Sequence, residues 1–308
     1  MAVTAEGSAT KQPLVLGTPN RWRGAWVPWL WIGPAVAFVV IFLVYPVVST
    51  LWLSLYNFDS TAFVFLDNYR HIFTDRNMLV VLRNNIIWLI LGTAFTVFLG
   101  LVIAMLADRV RIESLVKSAI FIPMAISFVG AGVIWNFMYQ FTPAGTTQTG
   151  LLNALVTRIG LAPQAWLIDE RINNLALIAV YVWMWTGFCM VILSAALKGV
   201  PTDVIEAARM DGASELNIFF RVIVPMISPT IAVVATTMVI NVLKIFDIVY
   251  VMTGGNFNTS VVAYEYYRQA FNFNDFGISS ALAVVLLLAV IPIIYFNIRR
   301  FRAQEAER

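Results

Sequence analysis

The chain holds 308 residues, 60% of them hydrophobic and only 12% charged, with a formal net charge of +3. Soluble domains carry about 25% charged residues, so a water-soluble fold is excluded, and apolar runs longer than about 18 residues point to helical membrane spans rather than barrel strands. The small positive excess calls for no nucleic-acid partner, and the single cysteine, Cys189, excludes an internal disulfide.

Residues 1–28 read as a polar, disordered tail rich in Gly, Ser, Thr and Pro. Arg21 and Arg23 precede the first apolar run. No small-residue cleavage site follows at the right distance, so that run reads as an uncleaved span rather than a signal peptide. Six spans are expected, at 29–55, 84–107, 116–138, 174–197, 230–252 and 278–298. Together they make one transmembrane domain over 29–298, closed by a short tail, 299–308. Pro34, Pro46, Pro123 and Pro292 lie inside spans and are expected to kink them.

Lys and Arg set the orientation. Thirteen fall on the side of both termini, the connection after the second span and the connection after the fourth, against six on the other side. Both termini are therefore expected in the cytoplasm. External loops follow at about 56–83, 139–173 and 253–277. The first contains the only histidine, His71; the second carries an apolar segment, 151–159, expected to lie along the surface. The third includes VVAYEYYRQAFN, read as a short amphipathic helix. Loops of this size can receive a soluble partner.

The fourth span reads YVWMWTGFCM, with Trp183, Trp185 and Phe188 close to Thr186 and Gly187. Sugar rings stack their C–H faces on aromatic side chains and need polar partners for their hydroxyls. Packing between helices is the competing role for any one of these rings. The fifth span brings Asn241, Lys244 and Asp247. Lys244 and Asp247 are three apart, so on one helix face they would meet, either as a neutralising pair or as polar lining of an aqueous path.

Between the fourth and fifth spans lies PTDVIEAARMDGASELNIFFRVIVPMISP, residues 201–229. It reads as two short helices around an Asp211-Gly212 turn, with Pro201 in the first turn and Ser214 capping the second helix. That second helix is expected not to continue undisturbed past Pro225. Ala207, Ala208, Gly212 and Ala213 make a surface with almost no side-chain bulk, edged by Glu206, Arg209, Asp211, Glu215 and Arg221.

These residues resemble the cytoplasmic EAA loop of binding-protein-dependent ABC importer permeases. Glu206-Ala207-Ala208, Asp211-Gly212-Ala213, Phe219, Ile223, Pro225 and Pro229 fall at the family's spacings. The resemblance implies an all-α membrane protein of six spans with a cytoplasmic coupling helix pair. It implies that Glu206, Ala207, Ala208, Asp211, Gly212, Ala213, Phe219 and Pro225 couple to a dimer of ATPase subunits, which bind ATP and magnesium. LKIFDIVYVMTGG followed by YEYYRQAF resembles the sugar-permease branch of maltose and glycerol-phosphate type, with Asn256 where a proline often stands. That branch implies sugar contacts at Met184, Trp185, Phe188, Asn241, Val242 and Ile245, beside the charged Lys244 already noted. IFIPMAISFVGAGVIWNFMYQF, residues 120–141, looks most like permeases for α-glucosides such as trehalose, sucrose, maltose or glucosylglycerol.

The implied protein is a non-catalytic membrane subunit of an ATP-driven sugar importer in a bacterial or archaeal plasma membrane. Its implied partners are the ATPase dimer, a second related permease, an extracytoplasmic sugar-binding protein, membrane lipid and the carbohydrate itself. No catalytic cluster, metal-ligand set, cofactor motif or G-x-x-x-x-G-K-[ST] loop is present in the sequence. The alternative is an ion-coupled secondary sugar carrier, which needs titrating membrane carboxylates, and Asp247 is the one candidate. A membrane enzyme lacks its catalytic groups.

Overall fold

A computed structural model describes residues 27–306 apart from Arg109. The polar N-terminal tail and the Arg21 and Arg23 of the charge count lie outside the described residues. The chain divides into two units, residues 1–49 and 50–308. The described part of the first is helical and belongs to helix α1, Trp29–Leu53, whose last residues fall in the second unit. Within α1 the Tyr45 N–H reaches back five residues to the Val40 carbonyl, just before Pro46. This π turn takes up the register change that a missing proline N–H imposes.

The second unit carries all remaining elements. They are α2 (Asp67–Thr74), α3 (Arg76–Ala107), α4 (Glu113–Ala125), α5 (Phe128–Met138), α6 (Leu151–Arg158) and α7 (Asn173–Lys198). They continue with α8 (Thr202–Met210), α9 (Glu215–Leu243), α10 (Asp247–Met252), α11 (Val262–Tyr267) and α12 (Phe276–Ala306). No strand forms among the described residues, only a single bridge between Tyr56 and Phe63. Four helices (α1, α3, α7 and α9) are long and apolar enough to cross a membrane, and a fifth crossing follows if α4 and α5 count as one.

The long helix α7 is the axis of this unit. Its apolar window is 61% buried, against 22% for α3 and for α9. Small residues let neighbouring backbones come close, as membrane helices require. A Cβ on Gly100 of α3 would sit 2.5 Å from the Cys189 Cβ of α7, and one on Gly187 would sit 2.5 Å from the Ile120 carbonyl of α4. We expect Gly187→Leu to drive α4 off α7, a cost of about 1–3 kcal/mol or more. In detergent its melting temperature should fall well below that of Gly212→Leu, whose site is open.

Three expectations about the spans need correction. The expected span 84–107 starts earlier, at Arg76, because Asp75 caps it by accepting the Asn77 and Met78 N–H groups at 2.9 and 3.1 Å. The expected span 116–138 is two helices bent by 101°. Pro123 sits in a closing 3-10 turn, and Ser127 caps α5 by accepting the Gly130 N–H at 3.0 Å. The expected span 230–252 stops at Leu243. Its last turn tightens to i−3 bonds, Lys244 to Asn241 and Ile245 to Val242. This break lets Val242, Ile245, Ile248 and Val249 all reach the core while Lys244 stays exposed.

At the end of α7 and α3 away from α8, buried asparagines hold the loop 253–261. Asn84 Nδ2 donates to the Asn258 and Ser260 carbonyls, Asn85 Oδ1 accepts the Val262 N–H, and Asn173 Nδ2 donates to the Phe257 carbonyl. The expected amphipathic helix of this loop is present as α11. The apolar segment at 151–159 forms α6.

Candidate functional site: the α8–α9 hairpin and the aromatic face of α7

The polar stretch after α7 folds as its residues dictate. Pro201 stands one residue before α8 rather than inside it. Asp203 lies in the first turn of α8 and Arg209 in the last, each complementing the helix dipole. Gly212 has φ +78°. Its N–H bonds the Arg209 carbonyl at 3.0 Å, and the Ala213 N–H reaches the Ala208 carbonyl at 3.1 Å. This pair of bonds is a Schellman closure, which needs a left-handed residue at that position. The Asp-Gly-Ala triplet is therefore a helix stop. Ser214 Oγ then accepts the Asn217 N–H at 3.4 Å and opens α9.

Arg209 locks the two arms together. Its Nε and Nη2 donate to the two carboxylate oxygens of Glu215 at 2.8 and 3.2 Å. Hydrogen bonding to Glu215 raises the Arg209 pKa above its ordinary value, and both groups stay in water. No residue of α8 is buried. Met210 is 88% exposed and Leu216 72%. Glu206 is exposed and makes no ion pair among the described residues. A Cβ at Gly212 would meet nothing within 4 Å. The hairpin is a knuckle held by its own bonds, with an apolar and uncovered surface of the sort that marks a protein contact.

The expected disturbance at Pro225 takes the form of a π turn, not of a stop. α9 runs through both Pro225 and Pro229 to Leu243. The Val224 N–H bonds the Phe219 carbonyl five residues back, directly before Pro225. This is the device seen before Pro46, and it makes the knuckle and the long helix one continuous rod.

A charged clasp sits where the rod's neighbours converge, and sequence reasoning missed it. Asp108 ends α3, Glu113 and Lys117 open α4, and Ser194 and Lys198 end α7. Lys117 Nζ donates to Asp108 and Glu113, each at 2.5 Å, and to Ser194 Oγ. Ser194 Oγ donates to Asp108 at 2.7 Å, and Lys198 Nζ bonds Glu113. Three helix ends are thus tied together four residues before α8. Lys117 and Lys198 entered the sequence reading only as counts in the charge bias, and the acids interleaved with them were the overlooked signal. Lys117→Met leaves Asp108 without its cation. We expect about 1–3 kcal/mol lower stability, read by thermal unfolding in detergent, with Lys117→Arg close to the parent.

The expected path residues do not all come together. Met184, Val242 and Ile245 are buried in the same core cluster. Trp185, Phe188 and Asn241 are half-buried and Lys244 is exposed. Trp185 is the hub of an aromatic run, with ring centroids 6.3 Å from Phe128, 6.3 Å from Tyr181 and 5.6 Å from Phe188. Its Nε1–H is buried and has no partner among the described residues. A buried donor left unpaired costs about 1–3 kcal/mol, which a hydroxyl-bearing ligand would relieve. Asn241 Nδ2 donates to the Thr237 carbonyl of its own helix at 2.9 Å. The expectation that Lys244 and Asp247 share a helix face is overturned: α9 ends between Leu243 and Lys244, Asp247 begins α10, and no ion pair joins the two among the described residues.

A largely apolar cleft of about 730 Å³ lies against α7. Phe95, Leu99, Ile120, Ile178 and Trp183 line it, and its one hydroxyl, Thr186, is already bonded to the Val182 carbonyl at 2.6 Å. That lining suits an acyl chain and offers nothing to a sugar.

Residues 96–304 match the family model described as the binding-protein-dependent transport system inner membrane component. The chain is 55% identical to the osmoprotective compounds uptake permease protein GgtC of Synechocystis sp. (strain ATCC 27184 / PCC 6803 / Kazusa), covering 91% of this chain and 100% of that one. It is 47% identical to the alpha-glucoside transport system permease protein AglF of Rhizobium meliloti (strain 1021), over 88% of this chain and 81% of that one. The fold is similar to that in the crystal structure of a bacterial alginate ABC transporter in complex with alginate pentasaccharide-bound periplasmic protein. The TM-score is 0.75 at 21% identity, over 90% of this chain and 94% of that one.

Proposed function

This chain belongs to the binding-protein-dependent transport system inner membrane components, and from that premise we propose that it forms one half of the pathway of an ATP-driven importer for α-glucosidic solutes. The observation that carries the reading is the α8–α9 knuckle: its tip, with Glu206, Met210, Asp211, Gly212 and Leu216, is exposed, it is closed by its own hydrogen bonds, and it is continuous with a long apolar helix. Relatives named for osmoprotective compounds and for alpha-glucosides support a solute of the trehalose, sucrose, maltose or glucosylglycerol kind.

In this reading six spans cross the inner membrane: α1, α3, the bent α4–α5 pair, α7, α9 with α10, and α12. Both termini and the knuckle face the cytoplasm, by the thirteen-to-six bias of Lys and Arg. A second, related permease completes the pathway, and an extracytoplasmic binding protein delivers the sugar. ATP and magnesium are held by a dimer of separate ATPase subunits, and this chain carries no chemistry. Closure of the ATPases moves the knuckle through Glu206, Ala207, Ala208, Asp211, Gly212 and Ala213. Phe219 and Pro225 pass the motion into α9, and the clasp at Lys117 carries it to α3, α4 and α7. ATP shifts the population between inward- and outward-open states. The sugar passes along the Trp185 and Phe188 face, with Asn241 and Lys244 as its polar margin.

The test is uptake of labelled trehalose and sucrose into vesicles holding the assembled transporter, with binding protein outside and ATP inside. Uptake that needs ATP and survives an ionophore is the expected result. Uptake that persists without ATP and collapses with the ion gradient contradicts the reading.

A further inference from the structure

At the end of α3 and α7 remote from the knuckle there is a second concavity, about 710 Å³ in volume. Arg76 and Arg83 of α3, Glu170 and Arg171 of the segment entering α7, and Asn258 of the loop pinned between them line it. α3 has 32 residues, so this cleft lies about 48 Å along the helix from the clasp at Asp108.

Its charge is unbalanced in a way the fold does not require. Arg76, Arg83 and Arg171 are exposed, and none of them makes an ion pair among the described residues. Among the described residues the one polar contact of the three guanidiniums is from Arg83 Nη2 to Asn84 Oδ1, at 3.3 Å. The cleft's single carboxylate, Glu170, offsets one of the three cations, and its Oε2 accepts the Asn258 amide of the same cleft at 2.7 Å. Arg76 occupies the first position of α3, and Arg171 stands two residues before α7. The positive end of a helix dipole disfavours cations at both places. Stability alone would favour acidic residues there.

We propose that this cleft is a socket for acidic side chains on the sugar-loaded extracytoplasmic binding protein. The proposal rests on the importer reading above and names the residues that would meet that partner. Guanidiniums take carboxylates in paired hydrogen bonds, and three of them in one hollow fit a ridge carrying several carboxylates. The hollow is far larger than one phosphate needs. Val80 is its one apolar side chain, so it gives no wall for the acyl chains that accompany a lipid headgroup.

The experiment uses the assembled transporter in nanodiscs of neutral phosphatidylcholine, titrated with its sugar-loaded binding protein while ATP hydrolysis is followed. Joint Arg76→Glu, Arg83→Glu and Arg171→Glu should raise the half-saturating binding-protein concentration at least about tenfold, with the maximal rate kept. Added salt should raise the parent's half-saturating concentration and should not raise that of the variant, whose repulsion from the partner it screens. The corresponding three lysine substitutions, which keep the charge but lose the paired hydrogen bonds, should fall between the parent and the glutamate variant. Equal half-saturation for parent and glutamate variant overturns the socket alone. An effect seen only when phosphatidylglycerol is present assigns the cleft to lipid headgroups and likewise overturns it. No stimulation of the parent by binding protein overturns the importer reading, and the socket with it.

Discussion

Gly212→Leu inserts into the membrane at the parent's level and yet loses both sugar uptake and binding-protein-stimulated ATP hydrolysis, by about tenfold to a hundredfold. The argument is steric. A Cβ at Gly212 meets no atom of this chain within 4 Å, so a larger side chain does not disturb the chain's own packing. Its one internal penalty is the positive φ, about 1 kcal/mol for a side chain other than Gly or Asn. A surface pressed into an ATPase cleft has no such freedom, and overpacking there costs about 1–3 kcal/mol. Gly212→Asn separates the two effects, because Asn accepts the left-handed conformation and adds less bulk. It should retain more activity than Gly212→Leu. Glu206→Lys reverses an exposed charge that has no ion-pair partner among the described residues. It should uncouple in the same way with little change in thermal stability. Parent levels of uptake and hydrolysis in both Gly212→Leu and Glu206→Lys remove the coupling role from this hairpin.

Trp185→Phe raises the half-saturating sugar concentration for uptake about 2- to 10-fold, and stimulated ATP hydrolysis stays close to the parent. The substitution keeps an aromatic ring in the run formed with Phe128, Tyr181 and Phe188. It removes the one indole N–H that is buried without a partner among the described residues. A single hydrogen bond to a sugar hydroxyl contributes about 0.5–1.5 kcal/mol net, which sets the size of the change. Trp185→Ala is the poorer probe, since truncating a packed tryptophan costs about 3–5 kcal/mol of stability. Trp183→Phe is the control. Trp183 faces the apolar cleft and packs edge-on against Trp135 at 5.6 Å, so uptake should not change. An equal effect at both tryptophans means general packing rather than a sugar contact.

What could be read from the residues alone divides along a physical line. Signals carried by local chemistry were legible. Apolar run length gave the helical class, Asp211-Gly212 gave the turn at the knuckle, and Ser214 gave the cap of α9. The spacing of Glu206 to Pro229 gave the family. Prolines were legible as sites of disturbance, but the form of the disturbance, a π turn, was not. The Tyr45 and Val224 N–H groups each step back five residues just ahead of a proline, and the helix runs on. The ends of α9 and α10 were illegible for a different reason. Nothing local in Val242 to Ile245 breaks a helix. The break depends on where the core lies, since it is tertiary burial of Val242, Ile245 and Ile248 that leaves Lys244 outside. The clasp was hidden by distance in sequence: Asp108, Lys117 and Ser194 meet only because α3, α4 and α7 converge.

The central claim is that the tip of the knuckle sits against a cytosolic ATPase. Met210→Cys places a thiol on a residue of α8 that is 88% exposed, and the native Cys189 is buried and out of reach of a reagent. A short bifunctional thiol reagent applied to inside-out vesicles of the whole transporter should join Met210→Cys to the ATPase subunit, in a yield that ATP alters. No crosslink to that subunit, together with labelling of the same thiol by an impermeant reagent added outside intact cells, would contradict the account.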